Sequence, residues 1–144
     1  MGNNYPSMIK GKGFKGYIFD KEHFALVSIE SQSERYTPCK DDILLAEDIL
    51  NKKIETINTP LVNQGGHCPI IHKNLKKYIR QYVGFTNKNG EKVIWINFLW
   101  NKKGMQDKSS KDIINVLDGC SHYWKVEINL TKKELYNLRI NGSA

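Results

Sequence analysis

The stretch "GGHCPIIH", residues 65–72, sets a cysteine between two histidines just after a pair of glycines. Soft side chains grouped in this way invite a metal ion or a nucleophile. With Cys120 and His122 from a later turn, residues His67, Cys68 and His72 offer enough sulfur and imidazole for a tetrahedral zinc site. The spacing argues against it. Zinc ligands usually come in pairs such as C-x-x-C or H-x-x-x-H, and neither Cys68-x-x-x-His72 nor Cys120-x-His122 fits. The stretch therefore reads as a loop holding a small, partly buried cysteine. Three cysteines cannot all pair, so no disulfide framework is implied.

A thiol nucleophile needs an imidazole within hydrogen-bond reach, ideally at a helix N-terminus. Cys39 stands near the start of a strong helix but has no histidine beside it in sequence. Packing near the cap is the simpler role. The run Asp118-Gly-Cys-Ser-His122 fits a tight polar turn without any catalytic need. No phosphate loop, dinucleotide fingerprint, nucleophile elbow or poised carboxylate pair is present. No catalytic residue, metal or cofactor is assigned on this reading.

The elements that must position these residues follow from hydrophobic periodicity. Residues 14–30 read as two short strands joined around Asp20–His23, with residues 1–13 a flexible N-terminal segment of one domain spanning 1–144. Residues 37–54 form the clearest helix. Thr37 is placed to cap it and Pro38 to open it, while Asp41 and Asp42 at the start and Lys52 and Lys53 at the end suit the helix dipole. Ile43, Ala46, Leu50 and Ile54 form its apolar stripe. Residues 55–71 are loop-like, and a short helical turn is expected around Asn74–Tyr78.

Strands over 79–86 and 91–100 flank Asn89-Gly90, a strong hairpin signal. A two-residue loop there sets Lys88 opposite Glu91. That register puts Ile79, Gln81, Val83 and Phe85 beside Ile94, Ile96, Phe98 and Trp100 on a core face with one polar intruder, Gln81. Arg80, Tyr82, Gly84 and Thr86 then share a mixed face with Val93, Trp95, Asn97 and Leu99, and Trp95 covers Gly84. A polar loop at 101–111, a turn at Gly119–Ser121 and a strand over 122–130 follow. The last segment is ambiguous, because Thr131-x-x-Glu134 is a capping box whereas Tyr136, Leu138 and Ile140 alternate as in a strand. A strand extends the preceding meander without a long crossover. The expected architecture is α+β: one amphipathic helix on an antiparallel sheet of about four strands, preceded by a small N-terminal hairpin.

Net charge is +7, which first suggests a polyanion. Nineteen of the 22 basic residues are lysine, however, while phosphate and base readout favours arginine, so nucleic acid is not the expected partner. The charge is uneven: residues 20–60 hold nine acidic and five basic side chains, residues 73–111 two acidic and ten basic. An acidic partner suits the second half. No apolar run approaches the ~20 residues of a membrane span. The N-terminal residues lack a secretory apolar core, and Pro6 stands where a myristoylation site needs Ser or Thr. A soluble protein is expected, in the cytoplasm or exported after loss of a leader.

The mixed face is the best functional lead, since Trp, Tyr and Arg dominate interface hot spots. Arg80, Tyr82, Trp95 and Asn97 are the candidate partner-binding residues, with Asp118 and His122 added from the turn. The same face is a route to an oligomer.

Three segments carry a resemblance: "YTPCKDDILLAEDIL" (36–50), "NLKKYIRQYVGFTNKNGEKVIWINFLW" (74–100) and "VLDGCSHYWKVEINLTKKELYNLRINGSA" (116–144). Together they resemble an uncharacterised family of small bacterial proteins with a TP-x-x-x-D-I-x-x-AE helix, a Y-x-RQY-x-G hairpin ending W-I-N, an Asp-Gly turn and a terminal N-G-x-A. Cys120 stands where the family pattern has a second glycine. The layout also resembles the cystatin-like fold, although Gln81-Tyr-Val83-Gly84 departs from the Q-x-V-x-G inhibitory loop and lies inside a strand. The expected function is a non-catalytic protein-binding module of the inhibitor or immunity type. The alternative is a small Cys/His hydrolase or metal-dependent enzyme using Cys39, or Cys68 and Cys120 with nearby histidines.

Overall fold

The helix begins where its first-turn chemistry dictates. α1 (Lys40–Ile57) is capped at Cys39, whose backbone N–H donates to the Asp42 carboxylate at 3.2 Å. Thr37, expected as the cap, instead accepts a hydrogen bond from the Lys21 backbone N–H at 2.9 Å. The helix runs three residues past the predicted end, and Lys52 and Lys53 no longer sit in its last turn, which has no basic residue. The apolar stripe is as expected, with Ile43, Ala46, Ile49, Leu50 and Ile54 buried.

This computed structural model describes residues 4–25, 27 and 33–143. The architecture is α+β, one main helix with a seven-strand, mostly antiparallel open sheet. The strands are β1 (Ser7–Gly11), β2 (Phe14–Ile18), β3 (Glu34–Tyr36), β4 (Tyr78–Thr86), β5 (Lys92–Trp100), β6 (Tyr123–Asn129) and β7 (Glu134–Ile140). The β4–β7 meander forms as expected, and the C-terminal segment is strand. One edge of β4 is shared: β2 pairs with it in parallel at residues 80–82, and β3 antiparallel at 84–86. The N-terminal hairpin lies earlier than predicted, β1 pairing with β2 through a tip at residues 11–14. Residues 7–11, within the segment expected to be flexible, are therefore a strand of the sheet. Phe24, Ala25 and Val27 are not in a strand, and the remainder of the predicted second strand lies outside the described residues. The loop over 101–111 contains a short helix, α2 (Met105–Ser109), and residues 71–77 form two 3-10 turns.

The β4–β5 register differs from expectation by one residue. Thr86 pairs with Lys92 and Tyr78 with Trp100. The loop holds three residues, with Gly90 left-handed at φ +76° and the Asn87 side-chain oxygen accepting from the N–H groups of Asn89 and Glu91, both at 3.0 Å. A turn closed by a left-handed glycine is the usual three-residue solution for a hairpin. Because side chains alternate with period two, that one-residue slip regroups every pair. Arg80 and Tyr82 now share a face with Ile94, Ile96 and Phe98, whereas Trp95 and Asn97 lie opposite with Ile79, Gln81 and Val83. Gly84 pairs with Ile94 and Tyr36, not Trp95; a Cβ there would sit 2.7 Å from the Tyr36 carbonyl oxygen, so β3 demands the glycine.

Two apolar clusters result. The inner one, between α1 and the sheet, gathers Tyr78, Ile94, Ile96, Phe98, Trp124, Val126 and Ile128, with Phe98 and Trp124 stacked at 3.6 Å. The outer one gathers Tyr17, Phe19, Ile79, Val83, Phe85, Val93 and Trp95 against Ala25, Val27, Ile113 and Tyr136.

Candidate functional site

Four of the six sequence candidates are internal. Arg80 and Tyr82 lie under α1, 1 % and 0 % exposed. The Arg80 guanidinium donates from Nε and Nη2 to both carboxylate oxygens of Glu47, at 3.0 and 3.2 Å, and from Nη1 to the carbonyls of Leu75 and Tyr78. Tyr82 donates its hydroxyl to the same Glu47 carboxylate at 2.7 Å. Burial, then the neighbouring Glu47 charge, pushes the Tyr82 phenol well above its ordinary pKa, so it stays a neutral donor. A buried arginine is tolerable only with its charge paired and its donors satisfied, and this one has both.

Trp95 and Asn97 lie on the outer face, each 3 % exposed. Asn97 Nδ2 donates to Gln81 Oε1 at 3.0 Å and to the Ile114 carbonyl at 2.8 Å. Gln81 Nε2 donates to the carbonyls of Ser109 and Asp112, and its Oε1 also accepts from the Ile114 N–H. The polar intruder on this face thus uses both amide hydrogens and one acceptor position to hold the 109–114 loop, and its other acceptor position to hold Asn97. The quartet therefore forms no common surface for a partner. The residues stand on opposite faces, and the chain itself covers both.

The remaining two candidates do come together, at the end of the molecule where the opening stretch folds. Gly65 and Gly66 take positive φ, and Gly65 and Cys68 exchange two backbone hydrogen bonds. Cys68 forms a disulfide with Cys120, the two Cα atoms 6.0 Å apart, so two of the three cysteines do pair. Asp118 and His122 line a shallow hollow of about 290 Å³ over that bond, together with His67. His122 Nδ1 sits 3.0 Å from the Gly119 carbonyl and 3.7 Å from Cys120 Sγ. His72 is elsewhere: Asn58 donates to its Nδ1 at 3.0 Å, within a network in which Gln64 accepts from the Ile71 N–H. The stretch is a stapled loop. Donor atoms of His67, Cys68 and Cys120 lie within 4.8 Å of one another. A bonded sulfur, however, is neither thiolate ligand nor nucleophile. Cys39, the free thiol, is exposed, with no histidine hydrogen-bonded to it among the described residues.

The surface feature that sequence candidates missed is a groove of about 620 Å³ between the β1–β2 tip and residues 72–77. Lys12, Lys73, Lys76 and Lys77 line it with His72 and Asn51. All four lysines are exposed, and none forms an ion pair among the described residues. Lys77 rests near the Trp100 ring, 5.8 Å from its centroid. The available signal was the basic excess of residues 73–111. What no pattern revealed was that Lys12, some sixty positions away along the chain, joins them.

Comparison with known proteins finds no match to a family model, to a curated protein or to a solved structure. No helix among the described residues is long and apolar enough to cross a membrane.

Proposed function

We propose that the chain is a non-catalytic protein-binding module of the inhibitor or immunity type, which takes an acidic segment of its partner in the Lys12–Lys73–Lys76–Lys77 groove. One observation carries the reading: four lysines converge on one concavity that no carboxylate lines among the described residues. Such a field steers an acidic partner and sets its orientation. The helix against the β6–β7 side of a β4–β7 meander suits a cystatin-like layout, and the three motif segments suit the small bacterial family, with β1–β3 as additions. The Cys68–Cys120 bond favours work in an oxidising compartment, where disulfides persist.

The test is fluorescence anisotropy with a labelled oligoglutamate peptide. Wild type binds at low salt, and Lys73→Glu with Lys76→Glu weakens binding at least about tenfold, the effect of ~1.4 kcal/mol of charge opposition. Binding unchanged by the double reversal sinks the groove. Equal affinity for single-stranded DNA of matched charge would turn the reading to a general polyanion binder.

The enzyme alternative has the His67–Cys68–Cys120 cluster in its favour once the disulfide opens. One equivalent of zinc bound by the reduced protein, and lost in Cys120→Ser, would advance it.

A further inference from the structure

A second concavity lies on the outer sheet face, remote in sequence from the groove residues. It has a volume of about 170 Å³ and is lined by Val27, Trp95, Asn115, Lys125, Glu127, Asn137 and Arg139. Lys125 on β6 and Arg139 on β7 are registered cross-strand partners. Like charges directly opposite each other on neighbouring strands are destabilising, and folded sheets avoid them. Neither cation has an ion-pair partner among the described residues. Glu127 lines the same pocket and keeps its charge, its carboxylate accepting from the neutral Asn137 Nδ2 at 2.8 Å, so two cations face one carboxylate and one positive charge is left over.

The backbone is distorted at the same place. The β6–β7 register shifts between Lys125 and Glu127, and Asn137 takes a left-handed conformation at φ +52°. A bulge of this kind re-aims side chains, and Asn tolerates the left-handed region better than most residues. Burial, then the Arg139 charge, lowers the Lys125 pKa. A repulsive pair and a bulge with a left-handed Asn137 meet at one small cavity, and local preferences broken together are how binding sites stand out from scaffold.

We propose that this pocket binds one small oxyanion group, a carboxylate or a phosphate, between Lys125 and Arg139. Lysine supplies a point charge and arginine a planar fork of donors, a pairing suited to either anion. Asn115 adds a neutral polar side chain to the lining, and the cavity is sized for a single small group.

Calorimetric titration and thermal melting with inorganic phosphate, and separately with acetate, test the proposal at constant ionic strength set by chloride. Wild type is expected to bind one equivalent of at least one anion and to melt at higher temperature in its presence. Arg139→Gln and Lys125→Gln should each weaken that binding about tenfold or more, the loss of one charge-assisted hydrogen bond. Arg139 is exposed, so its variant should fold, and without anion it should melt no lower than wild type because the repulsion is relieved. Arg139→Lys should restore part of the affinity. Response to phosphate alone identifies a tetrahedral anion, and response to acetate alone a carboxylate. The proposal is overturned if wild type responds to neither anion, or if the Gln variants respond as wild type does. It is equally overturned if Lys73→Gln with Lys76→Gln abolishes the response, since the anion would then sit in the basic groove.

Discussion

The two faces of the β4–β5 hairpin are made by alternate residues of the same two strands, yet they handle buried polarity differently. On the inner face Arg80 meets Glu47 from α1, side chain to side chain, with Tyr82 closing the cluster. On the outer face Gln81 and Asn97 meet loop backbone at Ser109, Asp112 and Ile114. Both faces of this hairpin are closed, with Arg80, Gln81, Tyr82, Trp95 and Asn97 all at most 3 % exposed. Toward β7 the outer face opens at Lys125 and Arg139. The difference teaches that buried charge sits where a rigid element can supply its exact complement, while neutral amides suffice to pin a loop.

The sharpest way to break the comparison is Glu47→Ala, which leaves Arg80 buried without its partner. Urea denaturation should show a loss of about 3–5 kcal/mol. Replacing the cluster together, as Glu47→Leu, Arg80→Met and Tyr82→Phe, should recover most of it. A loss under about 1 kcal/mol for Glu47→Ala would mean that water or another group replaces the carboxylate, against the sealed inner face.

The disulfide comes next. Its cysteines are 52 positions apart, and opening a loop of that size costs about 4 kcal/mol in the chain-entropy model. Denaturation with and without a dithiol reductant, in a Cys39→Ser background, measures it. An unchanged midpoint would show that the Ser121–Pro69 and Tyr78–Ser121 hydrogen bonds hold this end unaided.

Gln81→Leu removes the outer hub and leaves Asn97 and the Ile114 N–H short of a partner. The expected loss is roughly 2 kcal/mol, with faster amide exchange at Ile114 and little change under α1. Equal loosening on both faces would erase the distinction between them. A smaller effect is expected at Gly90→Ala, where a left-handed site meets a Cβ: about 1 kcal/mol, with the Thr86–Lys92 pairing retained by NMR.

The smallest effect is a matter of pH. The hydrogen bond from His23, at 2.8 Å, and one from the Ile113 N–H lower the pKa of the exposed Asp112 carboxylate. A depressed carboxylate contributes stability that is present above its unfolded pKa and lost as pH falls through the folded one. Melting curves of wild type and Asp112→Asn should therefore differ by a constant amount above about pH 5 and converge in stronger acid. A gap that persists at acid pH would place the effect in packing.

Much of the scaffold was legible because its signals are local. The stripe of Ile43, Ala46, Leu50 and Ile54 needed only the 3.6-residue period, and the meander only alternation between turn residues. The helix end was misplaced because Lys52 and Lys53 resemble a terminal turn, whereas the helix runs on to Ile57 and closes at Asn58, whose N–H donates to the Ile54 carbonyl. The hairpin was seen and its register missed. Asn89-Gly90 fits both a two- and a three-residue loop, and the Asn87 side chain, bonding Asn89 and Glu91, decided between them. That single residue moved Trp95 and Asn97 to the face opposite Arg80 and Tyr82, and with it dissolved the predicted surface.

By itself, then, the chain's order of residues determined the helix, the β4–β7 strands, the basic bias of the second half and the turn at Asp118–Gly119, since each depends on neighbours within a few positions. Tertiary structure alone decided what is sealed and what is open: Glu47 finding Arg80, Cys68 finding Cys120, Lys12 joining Lys73 and Lys76, and Lys125 facing Arg139. Those pairings join residues far apart along the chain. Their partners are chosen by register and packing, which are settled only when the whole sheet closes on its helix and loops.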